Sequence, residues 1–289
     1  MRVEDGLTAK KLSIERELER VLSRDDSPLF RVMRYAVFPG GKRFRPLLLL
    51  STGACLGANQ RPLLTFACAV ELIHNYSLVH DDLPSMDNDD IRRGKPTCHR
   101  AFGEDLAILA GDGLLTLAYE LMAGAVVPPT ALERKQEAIR AISRSAGVDG
   151  LIGGQVLDIT LTTKSISRPK METLMRRKTG ALIGAAVETG AILGQARPGE
   201  TRALREYAKN VGLAFQVRDD LQDLRRKKAS DTPDRPNYAA FAGEDAAGRR
   251  LKSLIRRAVG SLKTLSPRAG ELRWLALSLL LPEGEARRA

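Results

Sequence analysis

The sequence predicts an all-α protein with a single domain. Apolar residues recur at intervals of three and four through most of the 289 residues, which is the period of an amphipathic helix. Alternating apolar and polar stretches bounded by turn residues, which would predict strands, are hard to find. The connections between the predicted helices are short, and none has the length or composition of an interdomain linker.

Proline and glycine mark the ends of the predicted helices. Proline loses no hydrogen bond in the first turn of a helix, and pairs of glycine and proline favour connections. The prolines near predicted helix starts are Pro46, Pro62, Pro169 and Pro267. The connections are marked by Gly40-Gly41, Pro128-Pro129, Pro198-Gly199 and the stretch 233–236. The predicted helices cover 8–23, 28–37, 45–57, 61–80, 100–124, 131–145, 149–161, 170–194, 200–224, 237–263 and 266–280.

The composition excludes several classes of protein. A hydrophobic content of 43% with 28% charged residues is that of a compact globular chain, neither fibrous nor disordered. The net charge of +11 indicates an anionic partner such as nucleic acid, acidic lipid or a phosphorylated small molecule. Aromatic residues are only 4% and the basic residues are scattered, so nucleic acid is not the expected partner.

Cysteine usage and hydropathy predict a cytoplasmic protein. Cys55, Cys68 and Cys98 are odd in number and form no CxxC pair, so neither a disulfide framework nor a structural zinc site is indicated. The first ten residues contain no apolar signal-peptide segment. The most apolar runs, 47–50 and 277–281, are far shorter than a bilayer span, so no integral membrane segment is expected.

An acidic cluster ends the predicted helix 61–80. Residues 81–90 read DDLPSMDNDD and place five aspartates and one asparagine together. Carboxylates this close repel one another unless a cation lies among them. All-oxygen ligands favour Mg²⁺ or Ca²⁺, and Mg²⁺ typically takes one or two carboxylates and completes its shell with water and substrate phosphate. The alternative is a solvated acidic loop.

A second acidic cluster lies in the predicted helix 200–224. Asp219 and Asp223 are four residues apart and therefore about 40° apart around the helix axis, and Gln216 lies on the same stripe. This stripe is suited to holding a metal ion from the side opposite to the first cluster. Two such clusters are harder to explain as coincidence than one. The sequence contains neither EF-hand spacing nor an HExxH motif.

Basic residues suited to a polyanionic ligand accompany both clusters. Free N–H groups and the helix dipole attract anions at the start of a helix, and arginine suits bidentate phosphate contact. The residues concerned are Lys42, Arg43 and Arg45 after Gly40-Gly41, Arg92 and Arg93 after the first cluster, and Lys178 beside Thr179 in another predicted helix. Any one of them alone is also explained as a solvated surface charge.

His74 lies seven residues before Asp81, near the same face of the predicted helix and two turns deeper. It is a candidate donor to a bound anion. The alternative is a core histidine whose ring is satisfied by a carbonyl group.

Taken together, these stretches resemble the trans-isoprenyl diphosphate synthases, that is the polyprenyl synthetase family, and specifically their bacterial farnesyl diphosphate synthase type. A DDxxxxD motif alone is weakly specific, but here it stands beside RRGKPTCH and in order with the other stretches. The resemblance covers nearly the whole chain, so residues 1–289 are expected to form one polyprenyl synthetase domain. The matching stretches are GGKRFRP at 40–46, IHNYSLVHDDLPSMDNDDIRRGKPTCH at 73–99, AGDGLLTLA at 110–118, GGQVLD at 153–158, KTGALI at 178–183 and FQVRDDLQD at 215–223.

The resemblance implies about ten helices around a deep central cavity, with the two aspartate-rich motifs facing each other across its mouth, and a homodimer. It implies condensation of isopentenyl diphosphate with dimethylallyl or geranyl diphosphate to give farnesyl diphosphate. Mg²⁺, with three ions when substrate is bound, clamps the allylic diphosphate and neutralises the leaving pyrophosphate. The alkene attacks the resulting allylic cation, and the released pyrophosphate is a candidate base for the proton that is lost. No side-chain nucleophile is required.

Each role implied by the resemblance falls on matching positions of this sequence. The implied metal ligands are Asp81, Asp82, Asp87, Asp219, Asp220 and Asp223. The implied isopentenyl diphosphate site consists of Lys42, Arg45, His74 and Arg93. The implied surroundings of the allylic diphosphate are Arg92, Lys178, Thr179 and Gln216. The residues expected to be catalytic are Asp81, Asp82, Asp87, Arg92, Lys178, Asp219 and Asp220.

Product length in this family depends on bulk below the first motif. Tyr76 and Ser77, together with the inserted Pro84-Ser85, resemble the farnesyl-forming pattern. In that pattern the Tyr76 ring closes the bottom of the cavity at a depth that accommodates about three isoprene units. An ideal helix places Ser77 on the face of Asp81 and Tyr76 about 140° away, so this assignment rests on the resemblance alone.

The chain departs from the family pattern after the second motif. The family usually carries a Leu-Gly-Lys element and a later Gly-Lys before Thr-Tyr-Pro, whose lysines help to hold the allylic diphosphate. Residues 224–238 are shorter and contain neither element. Lys227, Lys228 and Arg235 are the candidates to supply the missing charge from other backbone positions.

Two alternatives follow from this departure. One is a synthase that makes geranylgeranyl diphosphate. The other is a non-catalytic subunit of the same fold, against which stand the intact aspartate motifs, because a pseudo-enzyme has no need to keep mutually repelling carboxylates. Terpene cyclisation is disfavoured by the intact isopentenyl diphosphate site and by the few aromatic residues available to steady ring cations.

Overall fold

A computed structural model describes residues 3–38, 40–162, 166–226 and 235–281, and it confirms the all-α fold. Two short 3₁₀ turns, Pro129–Ala131 and Leu262–Leu265, and one π-helical turn, Arg176–Gly180, accompany the α-helices. The α-helices are α1 (Val3–Leu22), α2 (Pro28–Val37), α3 (Phe44–Cys55), α4 (Gln60–Asp81), α5 (Cys98–Phe102), α6 (Glu104–Gly124), α7 (Leu132–Ala146), α8 (Leu151–Thr160), α9 (Arg168–Met175), α10 (Ala181–Leu193), α11 (Pro198–Arg226), α12 (Tyr238–Ala242), α13 (Glu244–Ser261) and α14 (Gly270–Ser278).

Two helices predicted as continuous are each interrupted by a glycine. Gly103 has a φ of 95° and separates α5 from α6, and Gly243 has a φ of 85° and separates α12 from α13. A positive φ takes the backbone out of the right-handed helical region, and glycine adopts it without steric cost. The helical pattern of apolar residues continues across both breaks, which is why the periodicity alone does not reveal them.

A small hairpin lies between α4 and α5, where no strand is predicted. Strand β1 (Ile91–Arg92) pairs antiparallel with β2 (Lys95–Pro96). The two residues of the turn, Arg93 and Gly94, have φ of 53° and 80°, as a tight two-residue hairpin requires. The hairpin returns the chain toward α4 directly after the first acidic cluster.

Helix α4 lies at the centre of the hydrophobic core and packs against α1, α3 and α6. By length and composition α4 and α6 both resemble membrane spans, but 78% of the apolar window of α4 is buried inside the fold, against 39% of that of α6. The apolar character of α4 is therefore explained by its central position. Helix α6 leaves apolar side chains exposed, including Ile108 at 44% and Leu109 at 54%.

Helices α3 and α10 approach each other closely at Gly190. A Cβ added to Gly190 would lie 2.7 Å from the Leu49 carbonyl oxygen and 2.7 Å from the Thr52 Cβ. The missing side chain therefore sets the distance between the two helices. Because α3 begins with the basic turn and α10 continues from Lys178 and Thr179, this contact fixes the spacing of two parts of the predicted site.

We expect Gly190→Ala to destabilise the fold by about 1–3 kcal/mol, because the added methyl group meets backbone and has no room. The matched control is Gly184→Ala on the same helix, where an added Cβ meets nothing within 4 Å. That variant should be stabilised by roughly 0.5–1 kcal/mol through helix propensity. Chemical denaturation measures both changes, and equal free energies of unfolding for the two variants would contradict the close contact.

Candidate active site

The two aspartate clusters line one cavity of about 540 Å³. Asp87 and Asp89 from the loop after α4 lie on one side, and Asp220 and Asp223 from α11 lie on the other. The clusters therefore face each other, as the family resemblance implies. A larger groove of about 910 Å³ lies over the outer face of α10 between α7 and α11, and neither aspartate cluster lines it.

The first cluster is shaped by the loop that follows α4. Asp81 is the last residue of α4, and the Asp87 backbone N–H donates to the Asp81 carbonyl at 2.8 Å. The six-residue return brings the Asp87 carboxyl back beside that of Asp81, and the two repel each other. The inserted Pro84 and Ser85 form the exposed tip of this return.

Asp82 and Arg92 form a pair beside this loop. The Arg92 Nε donates to both Asp82 carboxylate oxygens at 2.6 and 2.8 Å, and the Arg92 Nη2 donates to Asp89 at 3.0 Å. The hairpin described above directs Arg92 to this position. Asp82 lines a small separate cavity with Arg92 and Arg93, so the structure turns its carboxyl toward arginine and away from the space between the clusters.

The second cluster is organised around Asp220. Its carboxyl accepts hydrogen bonds from Gln216 Nε2 at 2.7 Å and from the Tyr238 backbone N–H at 2.8 Å. Gln216 in turn accepts a hydrogen bond from the Thr179 hydroxyl. The structure thus pairs Gln216 with Asp220, four residues later in α11, whereas the helical spacing in the sequence places Gln216 on the stripe of Asp219 and Asp223. Asp219 lies on the other side, where Lys42 and Arg45 act on it electrostatically.

The π-helical turn presents Lys178 and Thr179 to the cavity side of the fold. Lys178 Nζ donates to Asp158 of α8 at 2.6 Å. A Cβ on Gly154 of α8 would lie 2.5 Å from the Lys178 Cα, so α8 and this turn touch backbone to backbone. Asp158 lines the cavity, yet no role was predicted for it. The signal that could have identified Asp158 is its position in GGQVLD, one of the stretches that resemble the family.

Arg235 lines the same cavity and binds the first cluster. It forms ion pairs with Asp87 and with Asp158, the latter at 3.2 Å, and donates to the Met86 carbonyl at 2.8 Å. This arrangement supports Arg235 as a source of the charge that the shortened segment lacks. Lys227 and Lys228, the other two candidates, lie outside the described residues.

The residues of the predicted isopentenyl diphosphate site also come together. Arg45 is 8% exposed, its guanidinium lies 5.5 Å from the centre of the Phe215 ring, and its Nε has no hydrogen-bond partner among the described residues. Burial lowers the pKa of His74 well below its ordinary value, and the nearby Arg45 and Arg93 lower it further. His74 is therefore a neutral imidazole beside a group of cations.

The two residues expected to set product length are buried in α4. Tyr76 is 5% exposed and its ring meets the His80 ring edge to face at 5.8 Å. Ser77 donates its hydroxyl to the His74 carbonyl at 2.9 Å. Neither is among the residues that line the cavity between the aspartate clusters, so their effect on product length stays a prediction.

Burial and mutual repulsion disfavour the charged form of these carboxylates, and a cation beside them favours it. Burial raises the pKa of Asp81 and of Asp219 to about 7 and that of Asp220 to about 6, and neighbouring carboxylates add to each shift. Within the described ranges no three such side chains converge closely enough to hold a metal ion unaided. Mg²⁺ characteristically combines one or two carboxylates with water and substrate phosphate, so these oxygen ligands fit an ion that arrives with a diphosphate.

Comparison with known proteins agrees with this geometry. The family model "Polyprenyl synthetase" matches residues 26–233. Farnesyl diphosphate synthase of Geobacillus stearothermophilus is 46% identical over 227 residues, which cover 77% of this chain and 75% of that protein. Farnesyl diphosphate synthase of Bacillus subtilis is 37% identical over 262 residues, which cover 87% of this chain and 88% of that protein.

A solved structure described as an FPP/GFPP synthase, from Zymomonas mobilis, superposes with a TM-score of 0.87 at 35% identity and covers 95% of this chain and 97% of its own. The protein is thus an all-α prenyltransferase. The chain belongs to the polyprenyl synthetase family.

We expect Mg²⁺ to stabilise the protein more at pH 8 than at pH 6. The folded-state pKa of about 7 for Asp81 and Asp219 lies above the unfolded value of about 3.9. Between about pH 4 and pH 7 the metal-free fold therefore binds protons that the unfolded chain does not, and it loses this stabilisation progressively as the pH rises across that range. Metal binding needs the deprotonated carboxylates. Thermal unfolding with and without millimolar Mg²⁺ at the two pH values measures the difference.

Asp219→Asn should reduce the Mg²⁺ effect and its pH dependence. The control is Asp245→Asn, an exposed carboxylate in the first turn of α13, which should leave both unchanged. An Mg²⁺-induced shift in melting temperature that is the same at pH 6 and pH 8 in the unaltered protein would count against these carboxylates as metal ligands.

Proposed function

We propose that the protein is a chain-elongating prenyltransferase that condenses isopentenyl diphosphate with dimethylallyl and geranyl diphosphate to give farnesyl diphosphate. The observation that carries the proposal is the pair of aspartate clusters that line one cavity together with Lys178 and Arg235. The two farnesyl diphosphate synthases at 46% and 37% identity support both the reaction and the product.

The allylic diphosphate binds between the two clusters in this proposal. Bound Mg²⁺, three ions with substrate present, neutralises the negative charge that builds on the departing diphosphate. Lys178, Thr179, Gln216 and Arg92 surround the diphosphate. Asp82, which accepts two hydrogen bonds from Arg92, would serve as a metal ligand if Arg92 turned to the substrate diphosphate. The remaining ligands are Asp81, Asp87, Asp219, Asp220 and Asp223.

The isopentenyl diphosphate binds on the other side of α11, at Lys42, Arg45, His74 and Arg93. Three of these residues are cationic. The buried Arg45 Nε has no hydrogen-bond partner in the part of the chain that the structure describes, which supports it as a donor to phosphate oxygen. The neutral His74 ring adds a hydrogen-bond donor without adding to the repulsion among the arginines. Asp219 faces this region as well as belonging to the second cluster, so it links the two substrate sites.

The reaction needs a site in which the allylic diphosphate ionises while water is excluded. Loss of diphosphate from the allylic substrate leaves an allylic cation, the alkene of isopentenyl diphosphate attacks it, and a proton is then lost to the released pyrophosphate. Water would trap the cation as an alcohol. Met171, Leu174 and Met175 line the cavity beside the carboxylates, and they supply the apolar surroundings that this chemistry requires.

The assembly we propose is a cytoplasmic homodimer of one domain per chain. The exposed apolar side chains of α6, including Ile108 and Leu109, form a face that a second copy would cover. The single hydrophobic core that joins the described helices supports one domain.

The test of the function is incubation of the purified protein with Mg²⁺, isopentenyl diphosphate and, separately, C5, C10 and C15 allylic diphosphates, with the products sized by chromatography. We expect the C15 product from the C5 and C10 primers. Asp219→Asn should lower the rate by about 10²-fold or more, whereas the exposed control Asp245→Asn should not change it.

Other outcomes decide between the remaining alternatives. Accumulation of a C20 product would replace farnesyl by geranylgeranyl diphosphate as the product. No elongation from any primer, in protein that unfolds cooperatively, would refute the enzymatic proposal and favour a non-catalytic subunit.

Tyr76→Ala should lengthen the products beyond C15, because removal of the buried ring opens space between α4 and the facing helix α6. Tyr76→Phe keeps the ring and is the control, which should still stop at C15. Chromatography of the products from the C10 primer measures the change. An unchanged product length in the alanine variant would refute the role of Tyr76.

A further inference from the structure

Arg43 stands between two residues of the isopentenyl diphosphate site, Lys42 and Arg45, but differs from both in its surroundings. Its side chain is fully buried, with 0% of its surface exposed. The sequence gives it no separate role, because it is one of three positive charges on the same turn. The structure separates it from the other two.

The Arg43 guanidinium is satisfied by three other parts of the fold. Its Nε and Nη2 donate to the two carboxylate oxygens of Glu15 in α1 at 2.8 and 3.0 Å. Its Nη1 donates to Glu71 of α4 at 2.7 Å, and its Nη2 also donates to the Val37 carbonyl at the end of α2 at 3.0 Å. These four hydrogen bonds tie the turn to α1, α2 and α4.

The backbone of this turn is arranged around the same side chain. Arg43 precedes α3 with a φ of 48° and a ψ of 36°, a left-handed conformation that is disfavoured outside glycine and persists only where the surroundings impose it. A Cβ on Gly40 would lie 2.6 Å from the Arg43 Cζ, and one on Gly41 would lie 3.1 Å from the Arg93 Nη2. The two glycines therefore leave room for two guanidinium groups.

Glu71 connects Arg43 with the proposed isopentenyl diphosphate site. Its side chain is 2% exposed, and its charge acts on Arg45 and on Arg93 as well as on Arg43. A buried carboxylate without a partner is strongly unfavourable. If Arg43 did not hold Glu71, Glu71 would attract Arg45 or Arg93 away from the phosphate oxygens.

We propose that Arg43 is a positioning residue for the isopentenyl diphosphate site: by engaging Glu15 and Glu71 it fixes the turn that carries Lys42 and Arg45, and it leaves Arg45 and Arg93 available to the substrate diphosphate. The inference rests on the proposed function, since it concerns one of its two substrate sites. Arg43 itself touches no substrate.

The experiment compares Arg43→Gln, Arg43→Lys and the double variant Arg43→Gln/Glu71→Gln. The KM for isopentenyl diphosphate should rise about tenfold in Arg43→Gln because the donors are displaced, while the KM for geranyl diphosphate stays within about twofold. Arg43→Lys keeps the positive charge beside Glu71, so its KM for isopentenyl diphosphate should lie between the value of the unaltered protein and that of Arg43→Gln. The double variant removes the competing carboxylate and should recover most of the loss.

Calorimetry with isopentenyl diphosphate and with inorganic pyrophosphate gives a second readout that does not depend on turnover. The matched control is Arg268→Gln, which breaks hydrogen bonds to Glu200 and to the Cys55 carbonyl far from the site. It should lower the melting temperature without separating the two KM values. If Arg43→Gln does not fold, the same measurements are made on Arg43→Lys, whose KM for isopentenyl diphosphate should still rise more than its KM for geranyl diphosphate.

The outcomes separate this inference from the proposed function. Equal rises in both KM values, or a double variant that binds isopentenyl diphosphate no better than Arg43→Gln, would overturn the positioning role in an enzyme that is active. Absence of elongation by the unaltered protein would overturn the proposed function. The comparison of pyrophosphate binding between the unaltered protein and Arg43→Gln would still test whether Arg43 organises an anion site, and equal affinities would show that it does not.

Discussion

Repulsion between carboxylates is the constraint around which the described site is built. The loop after α4 and helix α11 direct aspartates into one cavity, and burial raises the pKa of Asp81, Asp219 and Asp220. The fold offsets part of this cost with its own cations, since Arg92 binds Asp82 and Arg235 binds Asp87. A site balanced in this way is suited to exchanging protein cations for metal ions when a diphosphate arrives.

The glycines of the site serve close contact between backbones and guanidinium groups. Gly154 allows α8 to touch the turn that carries Lys178, and Gly212 of α11 lies against Gly180 at the end of that turn, where a Cβ would be 2.9 Å from the Gly180 Cα. Three segments that carry residues of the candidate site therefore meet without intervening side chains. This packing places Lys178, Thr179 and Gln216 within reach of one another, which separate surface loops would not achieve.

The sequence predicts the helices, and it predicts several of the residues that line the candidate site, because both follow from local pattern. Apolar periodicity located the helices, and the aspartate motifs with their neighbouring arginines indicated the chemistry. It did not reveal the breaks at Gly103 and Gly243, where periodicity continues across a change of φ. Nor did it separate Arg43 from Lys42, because adjacent identical charges differ only through distant partners such as Glu15. Asp158 was missed for the same reason, since its importance comes from Lys178, twenty residues further along the chain.

The π-helical turn at Arg176–Gly180 is a local bulge in the winding that leads from α9 to α10. Such a turn holds one residue more than an α-turn does. Deleting a single residue there would restore regular winding and leave the phase of α10 nearly unchanged, because the wider turn absorbs the extra residue without rotating the helix that follows. Such a deletion would instead move Lys178 and Thr179, which the turn holds beside Asp158 and Gln216. The extra residue of the turn thus bears on the proposed diphosphate site more than on the packing of α10 against α3.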